Sequence, residues 1–160
     1  MKLSETRTLW FSFVLMMVIA LAFQIISQQF GLTLLDGIVD PGEARELLAT
    51  ISDSHRTLHL WVTTTLDVAY PAAYGAFFAG TALRFFPRLG IWLMAPVAAL
   101  VAIDLLEGIV QVVALLEFKD WLNTKAVLTS TKFLLVNYCL LLTLSAWLIW
   151  VFSEVKRFFP

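Results

Sequence analysis

Residues 89–116 read LGIWLMAPVAALVAIDLLEGIVQVVALL, and this stretch decides the fold class of the chain. It is longer than the about 20 helical residues that are needed to cross a bilayer. In hydrocarbon the backbone polar groups must be satisfied within the segment, so the stretch is predicted to be a helix. Its charged residues are Asp104 and Glu107, which lie well inside the predicted span.

Three further apolar runs are long enough to cross a bilayer, and the four predicted spans are about 9–30, 58–83, 89–116 and 126–152. The composition agrees, because 60% of the residues are hydrophobic and 14% are charged, against roughly 45–50% and 25% in soluble domains. A soluble chain of 160 residues has too much surface to bury so many apolar side chains. A cytosolic enzyme, a disordered chain and a secreted disulfide scaffold are therefore excluded.

We predict an all-α polytopic membrane protein, with residues 1–160 forming a single integral membrane domain built as a four-transmembrane-helix bundle. The basic residues that fix its orientation are Lys2, Arg7, Arg84, Arg88, Lys156 and Arg157. By the positive-inside rule these ends of the spans are cytoplasmic, as are both termini. The expected location is a multi-pass position in the plasma or inner membrane. The net charge of −1 gives no basic field that would indicate a nucleic-acid partner.

The loop between the first two spans is then expected to face outward. Within it, the sequence Asp40-Pro41-Gly42-Glu43 offers an N-cap, a proline at the first helical position and an acid at the third. This pattern predicts a short amphipathic helix from about Pro41 to Ser52, whose apolar side faces the bundle or the membrane surface.

Four ionisable side chains lie inside the predicted spans: Asp67, Asp104, Glu107 and Lys132. Each costs on the order of 2.5–3.5 kcal/mol near the middle of a membrane helix, so each must be paired, neutralised or hydrated. Helical spacing places a polar stripe on every span. We therefore expect a polar pocket in the outer half of the bilayer that opens outward. Its predicted ligand-binding residues are Asp67, Asp104, Glu107, Lys132, Tyr70, Tyr74, Gln111 and, at the mouth, Arg56.

The predicted pocket holds three acids and one base, and Lys132 is expected to pair with one carboxylate. Two carboxylates on one helix turn repel each other, so at least one acid is expected to hold a proton at neutral pH. A net negative pocket favours a small cationic or proton-coupled ligand. No metal and no cofactor are predicted, since His55 and His59 have metal-binding spacing but lie at the membrane boundary without a third ligand.

Two other functions stay open at this point. The chain could be an accessory or assembly subunit of a larger membrane complex, with the polar residues as interhelical glue. It could also be a membrane enzyme acting on a lipid or isoprenoid, with an acid and a base that exchange protons. The sequence assigns no catalytic residue. The expected partners are the lipid bilayer, a small-molecule or lipid ligand, and a membrane-protein partner or a second copy in a homo-oligomer.

Overall fold

The computed structural model describes residues 3–158, and it describes side chains as far as residue 155. Lys2 and the side chains of Lys156 and Arg157, which contribute to the predicted orientation, lie outside that part. The described chain is all-helical, as the sequence predicted, with a single 3-10 turn at Leu35–Gly37. The helices are α1 (Thr6–Phe30), α2 (Pro41–Thr50), α3 (Asp53–Phe85), α4 (Gly90–Leu115) and α5 (Leu122–Phe158).

Three of these helices, α1, α4 and α5, are long and apolar enough to cross a membrane. The fourth long helix, α3, is more polar and packs against α1, α4 and α5. It is therefore the helix around which the others are arranged. The core of the bundle forms where buried side chains of α3, α4 and α5 meet, among them Tyr74, Phe78, Leu100 and Cys139.

Polar side chains set the helix boundaries near the predicted outer end. The carboxylate of Asp40 accepts the backbone N–H of Glu43 at 2.9 Å and caps α2. The hydroxyl of Ser52 accepts the backbone N–H of His55 and caps α3. Such caps satisfy backbone donors that a helix leaves free. Ser52 caps α3, so α2 ends at Thr50 and does not reach Ser52 as predicted. Helix α3 begins at Asp53, several residues before the apolar run that starts at about residue 58.

Residues 32–51, which we call the cap segment, cover one end of the bundle. Leu35 and Ala44 are fully buried and pack with Leu115 and Leu122, at the ends of α4 and α5. The apolar side of α2 therefore faces the bundle. The cap segment is thus held by packing, in addition to the polar contacts described next.

An ion pair ties α2 to the start of α5. The Nε atom of Arg45 donates to Oδ2 of Asp120 at 2.8 Å. The hydrogen bond from Arg45 and a second one from the backbone N–H of Leu122 hold the pKa of Asp120 below its ordinary value. Both charged side chains are exposed, so the pair positions α2 more than it stabilises the fold.

Helices α3 and α4 approach closely at a glycine. A methyl group placed on Gly75 would lie 2.6 Å from Cγ2 of Val101, which is well inside van der Waals contact. At Gly108, in contrast, the nearest atom to such a methyl group would be Cγ2 of Thr63 at 3.9 Å. The close packing of the two helices therefore depends on Gly75 and leaves room at Gly108.

Candidate ligand-binding site

The centre of the site is the ammonium group of Lys132, which projects from α5. Its Nζ atom lies 2.6 Å from Oδ1 of Asp36, 3.1 Å from Oδ1 of Asp104 and 2.6 Å from Oε2 of Glu107. The side chain of Lys132 is 6% exposed and that of Glu107 is fully buried. One buried ammonium is thus surrounded by three carboxyl groups, where the sequence analysis expected it to pair with one. We call these four residues, with Lys125 described next, the ionic cluster.

A second lysine extends the cluster on the same helix. Nζ of Lys125 lies 3.3 Å from Oε1 of Glu107 and donates to the carbonyl of Ile38 at 2.7 Å. The hydroxyl of Thr129 donates to the same carboxylate oxygen of Glu107 at 2.5 Å. Glu107 is therefore neutralised from both sides by lysines. The fourth span was predicted to begin at about residue 126, so Lys125 was expected to lie just outside it. The signal for it was the spacing of Lys125, Thr129 and Lys132, which places all three on one helix face.

The third carboxyl group, that of Asp36, comes from the cap segment. Oδ1 of Asp36 also accepts Nε2–H of Gln111 at 3.2 Å. The turn that carries Asp36 is fixed by His59, whose Nε2 accepts the backbone N–H of Leu35 at 3.1 Å. Since Nε2 of His59 is engaged in this way, the residue anchors the cap segment to α3. Sequence reasoning did not include Asp36 in the site, because a loop residue has no periodic pattern to reveal its direction.

Tyrosines of α3 join the cluster to an aromatic wall. The hydroxyl of Tyr74 donates to Oδ2 of Asp104 at 2.7 Å, while the other oxygen of Asp104 faces Lys132. The ring of Tyr70 packs edge-on against Tyr74 and against Phe23 of α1. The hydrogen bond from Tyr74 fixes the orientation of the Asp104 carboxyl group. Both tyrosines and Asp104 also face a space between the helices.

That space is a cavity of about 620 Å³, within the range of small-molecule sites. Its polar wall is formed by Asp36, Asp67, Tyr70, Tyr74, Asp104 and Lys132, and much of the rest is formed by phenylalanines of α1, α3 and α5. Asp67 differs from the other three acids. Among the side chains that the structure describes, it forms no ion pair with a lysine or arginine.

The structure brings most of the predicted site residues together. Asp104, Glu107 and Lys132 form ion pairs, Tyr74 and Gln111 donate hydrogen bonds to their carboxyl groups, and Asp67 and Tyr70 line the cavity.

The structure places Arg56, which was predicted at the mouth of the pocket, outside the lining of the cavity. Its guanidinium donates to the carbonyls of Leu48 and Leu115 and pairs with Glu117 at 2.6 Å. These carbonyls lie at the C-terminal ends of α2 and α4, where a helix leaves acceptors unpaired. Arg56 therefore satisfies helix ends, and the additional positive charge near the acids comes from Lys125.

The fold and the site define a class: a helical membrane protein whose bundle encloses a cluster of acids and lysines beside an aromatic cavity. Comparisons of the chain with protein-family models, with curated proteins and with solved structures found no match. The function must therefore be argued from the chemistry of the site itself.

Proposed function

We propose that the protein is a four-span membrane protein whose polar pocket opens outward and binds a small molecule carrying a cationic group. One observation carries the proposal. Asp67 lies on the cavity wall without an ion-pair partner among the described side chains, whereas Lys132 is already in contact with three carboxyl groups. The group on the cavity wall that is left to pair with a ligand is therefore an acid.

The fourth span of this proposal is α3. At 1.5 Å per residue its 33 residues extend about 50 Å, which exceeds the thickness of the hydrocarbon core. Its polar side chains Thr63 and Tyr74 are buried, and Val68 is exposed. A helix that turns Thr63 and Tyr74 inward and Val68 outward suits a span in a bundle.

The orientation follows from the charges at the two ends of the helices. Arg7, Arg84 and Arg88 lie at the end opposite the cap segment. By the positive-inside rule that end is cytoplasmic. The cap segment and the ionic cluster then lie toward the outside of a plasma or inner membrane.

The charges of the pocket favour a cation. The cluster and the cavity wall together hold four carboxyl groups (Asp36, Asp67, Asp104, Glu107) and two ammonium groups (Lys125, Lys132). A carboxylate without a counter-charge is costly in a low-dielectric site. Asp67 therefore holds a proton when the pocket is empty and exchanges it for the cationic group of the ligand, which makes binding proton-coupled.

The walls favour an organic cation over a bare ion. Tyr70 and Phe23 line the cavity beside Asp67. Aromatic faces attract cations by about 0.5–2 kcal/mol, more when water is excluded. The place that a metal ion would take among Asp36, Asp104 and Glu107 is taken by the ammonium of Lys132.

The test is calorimetric titration of the purified protein in nanodiscs with benzylamine at neutral pH. We expect saturable binding that weakens at least tenfold in Asp67→Asn, since a hydrogen bond to a charged group contributes roughly 1.5–3 kcal/mol. Asp53→Asn is the matched control, because it makes the same change in the exposed first turn of α3. Absent binding to the unaltered protein, or equal binding to Asp67→Asn, would contradict the proposal.

One observation favours the second candidate, in which the polar residues hold a membrane subunit together. Glu107 is fully buried between Lys125 and Lys132, and it does not line the cavity. Its role is interhelical in either case. The two candidates differ in the role of Asp67. The first assigns ligand binding to Asp67, whereas the second assigns it no role. The benzylamine titration therefore separates them.

A further inference from the structure

A second cavity, of about 570 Å³, continues from the pocket toward the other end of the bundle. The two cavities share three lining residues, Phe13 of α1, Phe77 of α3 and Thr143 of α5. The two cavities therefore adjoin at these side chains, and together they follow α3, with α1 and α5 on either side. We call this the α1–α5 groove.

The α1–α5 groove is long. It runs from Asp67 in the first cavity to Arg84 in the second, and both residues lie on α3. The helical rise gives about 25 Å between them along the axis of α3. One leaflet contributes roughly half of the about 30 Å hydrocarbon core. The groove therefore extends beyond the depth of one leaflet.

Polarity changes along the groove. The end at Asp67 carries the acidic and tyrosine side chains already described. The second cavity is lined largely by aromatic and aliphatic groups, including Trp10, Trp147 and Trp150. Trp10 and Trp147 are more than half exposed on the outside of the bundle, so the groove borders the region where lipid would lie. A hydrocarbon chain therefore has a sideways route into it from the bilayer.

We infer that the ligand is a long-chain amine, with its ammonium group at Asp67 and its single hydrocarbon chain in the α1–α5 groove. This inference rests on the proposed function and names the chemical class of its ligand. Charge complementarity selects the head group, since Asp67 is the acid of the cavity wall that forms no ion pair with a described lysine or arginine.

The experiment follows tryptophan fluorescence in nanodiscs during titration with 16-bromohexadecylamine. Trp147 and Trp150 line the second cavity. A chain bound in the α1–α5 groove therefore brings its terminal bromine close to these two residues and quenches their fluorescence. We expect saturable quenching, at least tenfold tighter binding than that of benzylamine, and loss of saturation with 16-bromohexadecanol, which has no charge.

A variant that alters only the second cavity isolates the role of the groove. Ala146 of α5 lines the second cavity and not the first. Ala146→Phe fills part of the second cavity and is expected to abolish saturable quenching, while benzylamine binding changes less than twofold and so reports an intact pocket. Leu144→Phe is the matched control on the lipid-facing side of α5, where Leu144 is exposed, and it should retain both signals.

The outcomes separate the two proposals. If benzylamine binds through Asp67 but chain length and Ala146→Phe have no effect, the inference about the groove is overturned and the proposed function stands. If no amine binds, the proposed function fails. If Ala146→Phe instead changes the oligomeric state measured by native mass spectrometry without affecting quenching, the groove is occupied by a second copy and the inference is likewise overturned.

Discussion

Replacement of Lys132 by methionine removes the ammonium group that Asp36, Asp104 and Glu107 share. Removing one partner of a buried ion pair typically costs about 3–5 kcal/mol, because the other charge stays buried without compensation. The three acids differ in how far they can be rehydrated. The side chain of Asp36 is 41% exposed, whereas those of Asp104 and Glu107 are 13% and 0% exposed.

Two features place the expected loss near the lower end of that range. Glu107 keeps its contact with Lys125 at 3.3 Å, and the more exposed Asp36 can return to water. Asp104 bears most of the cost, because its remaining partner is the hydroxyl of Tyr74. We therefore expect Lys132→Met to lower the free energy of unfolding by about 3 kcal/mol.

The assay is reversible unfolding in mixed micelles, with increasing sodium dodecyl sulfate and helicity followed by circular dichroism. Lys119→Met is the control. Lys119 is exposed and its ammonium lies over the ring of Trp121, so its loss should cost less than about 1 kcal/mol. Adding Glu107→Gln to Lys132→Met should cost less than the sum of the two single changes. A Lys132→Met protein no less stable than the control would refute the reasoning.

Two further predictions concern helix packing and pH. Gly75→Ala is expected to destabilise the bundle by about 1–3 kcal/mol, because the new methyl group meets Val101; Gly108→Ala, which has room, should be neutral or stabilising by up to about 1 kcal/mol. The same unfolding assay decides, and equal effects of the two changes would show that the helices are not in close contact. The lowered pKa of Asp120 means that its pair with Arg45 contributes above the unfolded-state pKa and is lost as the pH falls through the folded value. The distribution of distances between spin labels on α2 and α5 should broaden as the pH falls through the folded-state pKa of Asp120. A distribution that acid leaves unchanged would contradict this prediction.

The lengths of the apolar runs were enough to predict where the long helices lie, because hydrocarbon leaves a backbone little choice but helix. They were less informative about the ends. The polar residues 123–125 belong to α5 although they precede its apolar run, and for this reason Lys125 was not recognised as a partner of Glu107. Side-chain periodicity did identify the inward faces of α4 and α5, and with them Asp104, Glu107 and Lys132.

Two parts of the site could not be read from periodicity. Asp36 meets Lys132 from the cap segment, and a pairing across 96 residues leaves no local pattern in the sequence. Arg56 shares a helix with Asp67, but the unpaired carbonyls of Leu48 and Leu115 hold its guanidinium elsewhere. Both contacts depend on the position of other segments of the chain. A helical wheel shows only which residues share a face of one helix, so it could not predict either contact.

The position of both cluster lysines on α5 has a consequence for biosynthesis. The ribosome makes α4, with Asp104 and Glu107, before either Lys125 or Lys132 has been translated. Until α5 leaves the translocon, these acids must remain protonated, hydrated or sheltered by the insertion machinery, since each is costly in lipid. A nascent chain released before α5 would carry both carboxyl groups without their lysine partners, so we expect α4 to be less stably inserted until α5 has been made.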